Sequence, residues 1–167
     1  MRVLGIECGG EYTGYGVVEQ DRSGSLHHLC SGAIRLSARE ALELRLKRIC
    51  EGLHQIILSH SPEEVAIEDV FYAVNVKSAL KLGHVRGVAM LVAAQAGLGV
   101  VAYSPLSIKS AVVGYGRAEK AQVQMMVARL LEMEAPPEPP DAADALAIAI
   151  CHLHTAATLR RQQAQTY

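Results

Sequence analysis

Four acids, Glu7, Glu68, Asp141 and Asp144, are the residues of this chain whose types and surroundings could do chemistry together. Glu7 follows the apolar run "RVLGI" and is itself followed by Gly9 and Gly10; Glu68 closes a second short run, "VAI". Such runs read as buried strands, and the carboxyl ends of parallel strands are where α/β sheets place their ligands. Asp141 and Asp144 lie three apart at the start of an Ala-rich helical segment and so share a face. Singly, each acid has an ordinary explanation. Glu7 and Glu68 read as solvated strand ends, Asp141 as an N-cap after a Pro pair, and Asp144 as a charge suited to the positive end of a helix. Converging on one point, the same groups repel strongly, and bound cations are the usual way to offset that. Oxygen-only ligands select Mg²⁺ or Mn²⁺ rather than zinc. Two such ions held by carboxylates suit in-line attack on a phosphodiester, one activating water and the other stabilising the leaving oxygen.

The elements that must position these acids alternate along the chain. Strands are expected near Arg2–Ile6, Tyr15–Glu19 and His28–Leu36, with "DRSGS" as a turn and Gly9 and Gly10 allowing positive φ and a close backbone approach. "ALELRLKRICEGLHQIILSH" carries Leu42, Leu46, Ile49, Leu53 and Ile56 at helical spacing. The strand ending on Glu68 follows, then a long helix over roughly Val76–Ala96, the strand "GVVAY" and a short helix after Pro105. "GYGRAEK" leads into a helix over Lys120–Leu131, and the proline-rich "APPEPP" separates it from the final helix "DAADALAIAICHLH". A β-meander followed by βα units predicts an α/β fold with a mixed sheet and helices on its faces.

With 167 residues, half of them hydrophobic, the chain is long enough for one domain with a proper core. Cys8, Cys30, Cys50 and Cys151 show no zinc-like spacing and read as reduced thiols. No signal peptide or membrane span is evident, and the cytoplasm is the expected compartment. The net charge of −1 hides an asymmetry. Val70 to Leu131 holds seven basic residues (Lys77, Lys81, Arg86, Lys109, Arg117, Lys120, Arg129) against one acid, Glu119. A basic face beside an acidic pocket suits a nucleic-acid substrate.

At this point the residues carry a resemblance to a family. The stretches "GIECGGEYTGYG", "VAIEDVF", "NVKSALKLGHVRGV", "KSAVVGYGRAEKAQVQ" and "PDAADALAIAICHLH" resemble, in order and spacing, the RuvC family of Holliday-junction resolvases. The resemblance implies an RNase H-like α/β fold, a mixed five-stranded sheet flanked by helices, in a single domain over residues 1–167. It places the family's acidic tetrad on Glu7, Glu68, Asp141 and Asp144 as catalytic and metal-ligating residues, with two Mg²⁺ per subunit and Mn²⁺ as a substitute. It also implies a homodimer that nicks opposed strands of a four-way DNA junction, with the RuvA and RuvB branch-migration proteins as partners. Phe71, the only Phe of the chain, takes the role of an aromatic that wedges into junction bases. Lys109 and Lys120 match lysines near the scissile phosphate and backbone, and Arg86 of the basic stretch reads as a further DNA contact.

One departure from the family pattern bears on activity. The family normally has Asp where this chain has Glu7, and the extra methylene moves the carboxylate outward by on the order of 1 Å, while Mg²⁺ demands near-ideal geometry. Two readings of different class follow: a structure-selective endonuclease, or a junction-binding protein with weak or no cleavage. A third rests on "E-x-G-x-x-x-T-G" (Glu7 to Gly14), which resembles the first phosphate loop of actin-like ATPases; those enzymes need two such domains, and this chain is too short for them. Elsewhere, Asp69 reads as a solvated acid and His152 as a packed histidine.

Overall fold

The structure, a computed structural model, describes residues 1–69 and 76–165. Strand β1 (Arg2–Cys8) turns back into β2 (Tyr12–Gln20), with antiparallel register from Cys8↔Thr13 to Arg2↔Glu19. A turn centred on Asp21, whose carboxylate accepts the backbone N–H groups of Ser23 and Ser25, returns the chain as β3 (Leu26–Arg35). Helix α1 (Leu42–His60) then carries the chain across the sheet to β4 (Glu64–Glu68), which lies parallel to β1. Helix α2 (Val76–Gln95) precedes β5 (Gly99–Tyr103), parallel to β4. The sheet runs β3-β2-β1-β4-β5, and α3 (Pro105–Val113), α4 (Lys120–Leu130) and α5 (Pro140–Gln165) complete the chain.

The two-residue period of β1 divides the molecule. Leu4, Ile6 and Cys8 pack with Ile49, Leu53, Val85 and Ala89 under α1 and α2. Val3 faces the other way, into a core with Leu146, Ile150 and Leu153 of α5 and with Ile108, Val123 and Val127 of α3 and α4. Residues 5 and 7 share the face of Val3, so β1 presents Gly5 and Glu7 to α5.

Gly5 is what lets α5 lie so close. A Cβ there would sit 2.0 Å from the Ala145 carbonyl oxygen, and one at Gly14 of β2 would sit 2.1 Å from that of Asp141. Gly5→Ala is expected to cost about 3 kcal/mol, the upper range for overpacking against backbone. That corresponds to a melting temperature lower by on the order of 10 °C, read in a thermal melt; a melt within 2 °C of the parent would contradict it.

Two sequence expectations need correction. β2 begins at Tyr12 rather than near Tyr15, because Gly14 and Gly16, poor strand residues on their own, are buried beneath α5 and pair with β1 and β3. The glycines with positive φ are Gly24, Gly97 and Gly114, so Gly9 and Gly10 turn the chain without it. Gly9 instead serves close approach: a Cβ there would meet the Tyr12 carbonyl oxygen at 2.3 Å and Glu7 Oε2 at 3.3 Å. In α1 the buried stripe is Ile49, Leu53 and Ile57, with Leu42 exposed.

Candidate active site

The parallel register of β1 and β4 ends on Ile6↔Ile67, so the next residues, Glu7 and Glu68, emerge side by side at the end of the sheet. Helix α5 begins at Pro140, whose ring suits a first helical position. Asp141 therefore lies within the first turn and is not the N-cap. Asp144 follows one turn later, above the strand ends. Glu7, Glu68 and Asp144 line one cleft of about 220 Å³ together with Lys109, Lys120, Pro105, Ile108 and Val123.

Electrostatics tie the fourth acid to the same place. The Glu7 carboxyl is pushed up to about 8, first by burial and then by the negative charges of Asp141, Asp144 and Glu68, with Lys120 pulling the other way. Glu68 is raised by burial and by Asp144, and lowered by Lys120 and Lys109. Lys120 donates to Asp144 Oδ2 at 2.5 Å, and that hydrogen bond raises its own pKa, so the ammonium stays charged. The site is thus a crowd of like charges relieved by one proton and two lysines.

The donor set fits a hard divalent cation. All four groups are carboxylates, and Glu7 Oε2 is buried without a hydrogen-bond partner among the described residues, the kind of atom that a cation satisfies better than a proton does. As placed, no three His, Cys, Asp or Glu side chains among the described residues stand close enough to share an ion. Lys120 holds Asp144 instead, so a cation shared by these acids would require side-chain rotation and exchange of that ion pair.

Comparison with known proteins decides the family. The sequence matches the family model for crossover junction endodeoxyribonuclease RuvC over residues 3–152. A protein of Koribacter versatilis (strain Ellin345) described by that same name is 65% identical over 165 residues, covering 99% of each chain. The chain belongs to the RuvC family.

Solved structures agree. Thermus thermophilus RuvC superposes with a TM-score of 0.88 at 34% identity, covering 95% of this chain and 96% of that one. The same enzyme in complex with a Holliday junction substrate gives 0.87 at 31% identity, with the same coverage. The five-stranded mixed sheet is RNase H-like, as the resemblance implied. Among the described residues no helix is long and apolar enough to cross a membrane.

Other residues singled out in the sequence fall in different places. Lys109 and Lys120 meet in the acidic cleft. Arg86 does not line it. Its Nη1 donates to the Glu68 carbonyl oxygen at 2.7 Å and lies 3.3 Å from Asp69 Oδ1, so the guanidinium braces the end of β4 from behind. Asp69 is correspondingly an ion-pair partner, not a solvated acid. Phe71 lies outside the described residues. His152 is packed, as expected: it is 4% exposed, its Nδ1 shares a hydrogen bond with the Tyr103 hydroxyl (3.0 Å) and its Nε2 faces Glu64 Oε2 (2.8 Å). Glu64 starts β4 and Glu68 ends it, so this cluster sits at the opposite end of the strand from the acids.

Sequence reasoning missed the brace from Arg86 and the glycines beneath α5. The second had a signal: Gly5 precedes Glu7 by two residues, and Gly14 and Gly16 repeat that spacing on the paired strand. Small residues at period two mark one strand face left open for a close neighbour.

Proposed function

We propose that this chain is a structure-selective DNA endonuclease that resolves four-way junctions by paired, metal-dependent nicks in recombination and repair. The observation that carries the reading is the cleft in which carboxylates from β1, β4 and the start of α5 meet two lysines. A relative of the same family solved with a Holliday junction substrate supports the choice of DNA structure. Nothing in the comparisons supports the alternative of a junction binder without cleavage.

Glu7, Glu68, Asp141 and Asp144 would hold two Mg²⁺, with Mn²⁺ as a substitute, and these supply an activated water and charge stabilisation at the leaving oxygen. The protein's own contribution is placement. The two strand ends and the glycine-seated helix bring Glu7, Glu68 and Asp144 to one cleft, with Asp141 in the first turn of the same helix, and Arg86 holds the Glu68 carbonyl oxygen. Lys120 keeps its proton and offers a cation to a non-bridging phosphate oxygen once Asp144 is released; Lys109 stands across the same cleft. Phe71 would act on the junction bases by stacking.

The deciding assay compares nicking of a synthetic four-way junction with nicking of linear duplex of equal sequence, in Mg²⁺ and in Mn²⁺. Symmetric nicks in the junction alone are expected, with affinity falling steeply as salt rises. Equal binding and cutting of both DNAs would reject junction selectivity.

The reading also includes a homodimer, one nuclease domain per chain, acting in the cytoplasm beside RuvA and RuvB. Leu80, Gly83, Gly87, Met90 and Leu91 of α2 are exposed along one side of the helix, a small and apolar surface suited to a two-fold contact. Gly87→Arg is expected to convert a dimer to a monomer in light scattering at micromolar concentration. A variant that stays dimeric would move the interface elsewhere.

A further inference from the structure

We infer a second DNA-backbone site on this chain, a basic groove at the β3 side of the sheet end, centred on Arg35 and Arg39. The inference rests on the nuclease reading and extends its substrate path. The groove has a volume of about 530 Å³ and is lined by Glu11, Tyr12, Arg35, Ser37, Arg39 and Arg48 among others.

Sheet register places it on the same face as the acids. Glu7 pairs with Gly14, Tyr12 lies two residues from Gly14, and Arg35 pairs with Tyr12. Paired residues and residues two apart in a strand share a face, so Glu7, Tyr12 and Arg35 all look toward the side on which α5 packs. Helix α5 starts over Gly14 and leaves the ground beyond it open. Arg35 is two strands from β1, on the order of 10 Å from the acids. That span matches roughly three phosphates of one strand at ~3.4 Å of helix axis each. Lys109 and Lys120 flank the acids from α3 and α4, and the groove flanks them from the opposite side.

The arginines of this region divide by what they already do. Arg45 donates to the Gly10 carbonyl oxygen and holds the β1–β2 loop. Arg48 donates to Glu40 Oε1 at 2.5 Å and holds the segment after β3. Both are braces. The guanidinium groups of Arg35 and Arg39 are exposed and have no hydrogen bond or ion pair among the described residues. Glu11, also exposed, is the one acid that lines the groove, so the groove keeps a positive excess. Two uncommitted guanidiniums beside the half-buried ring of Tyr12 make a site for a phosphodiester backbone, since arginine matches phosphate oxygens with paired donors.

The test measures binding of a four-way junction by the full-length parent and by Arg35→Gln/Arg39→Gln, without divalent cations, across a series of salt concentrations. Each phosphate contact contributes about 0.9 to the slope of log K against log salt, so the double variant is expected to lose roughly 1.8 of that slope and to bind on the order of 10-fold more weakly near 0.15 M salt. Arg35→Lys/Arg39→Lys should recover most of the slope, because charge is what counterion release reads. A double Gln variant that melts like the parent yet keeps the parent's slope overturns the inference while leaving the nuclease reading intact. A parent that binds no junction at all defeats the nuclease reading and this site with it.

Discussion

Glu7→Gln is expected to lower single-turnover junction cleavage by on the order of 10³-fold or more in either Mg²⁺ or Mn²⁺, equivalent to ~4 kcal/mol of lost transition-state stabilisation. The substitution keeps the shape of the side chain and removes its charge. Glu7 is the most congested acid of the cleft: it is raised to about 8 by burial and by three neighbouring carboxylates, and its Oε2 has no hydrogen-bond partner among the described residues. A carboxylate placed in this way is the kind of group that a bound cation would stabilise. Gln offers one neutral oxygen in its place, so ion affinity and the positioning of the attacking water are lost together. Glu7→Asp tests the length of the arm. It restores the family's shorter side chain, and cleavage in Mg²⁺ is expected to rise about 10-fold, worth ~1.4 kcal/mol. Mn²⁺ should narrow the difference between parent and Glu7→Asp, since Mg²⁺ is the ion that insists on near-ideal octahedral geometry. Junction affinity without metal should change little in either variant near pH 7, because a carboxyl raised to about 8 is then largely uncharged, as Gln is. If Glu7→Gln cuts as fast as the parent, Glu7 is only a residue of the β1 end and the acids do not act together.

The acids were legible in the sequence because each stands at a boundary that local pattern reveals. Glu7 and Glu68 close apolar runs whose period is that of a strand, and parallel pairing turns two separate ends into neighbours. Asp141 and Asp144 announce themselves by the i, i+3 spacing after a proline-rich loop. What positions them was hidden, because it lies between elements distant in the chain. Gly14 falls outside the expected strand, since propensity counts only what a residue costs its own strand; its value, and that of Gly16, appears when Asp141 and Leu146 of α5 cross above them. The ion pair of Lys120 with Asp144 spans 24 residues, and the link between Arg86 and Asp69 joins a helix to the strand before it. In both cases charge composition named the participants and only tertiary packing chose the partners. Arg86 shows the consequence most plainly: in a basic stretch it reads as a phosphate contact, while in the fold its guanidinium braces β4.

The metal-free Glu7→Gln protein is expected to be more stable than the parent at pH 9 and equally stable at pH 4. Folding raises the Glu7 pKa from its ordinary value of 4.5 to about 8. The folded state therefore holds this proton more tightly than the unfolded chain does. Below pH 4.5 the group is protonated in both states and contributes no difference between parent and variant. As pH rises through the unfolded value and on toward 8, the unfolded chain releases the proton first, and parent stability falls with each step. Above 8 the carboxylate is charged in both states, and the folded protein carries the whole penalty of an ionised, buried group beside three others. At 1.36 kcal/mol per unit the penalty is on the order of a few kcal/mol, or a melting temperature roughly 10 °C higher for Glu7→Gln at pH 9. The variant has no titrating group at this position, so its lead should open between pH 4.5 and 8 and then stay level. Adding Mg²⁺ at pH 9 should stabilise the parent more than the variant and close the gap, because an ion that binds only the folded state adds its binding free energy to folding. Thermal melts in chelator and in Mg²⁺ across this pH range make the check, and a gap that ignores both pH and metal would show that Glu7 is solvated and not confined with Asp141, Asp144 and Glu68.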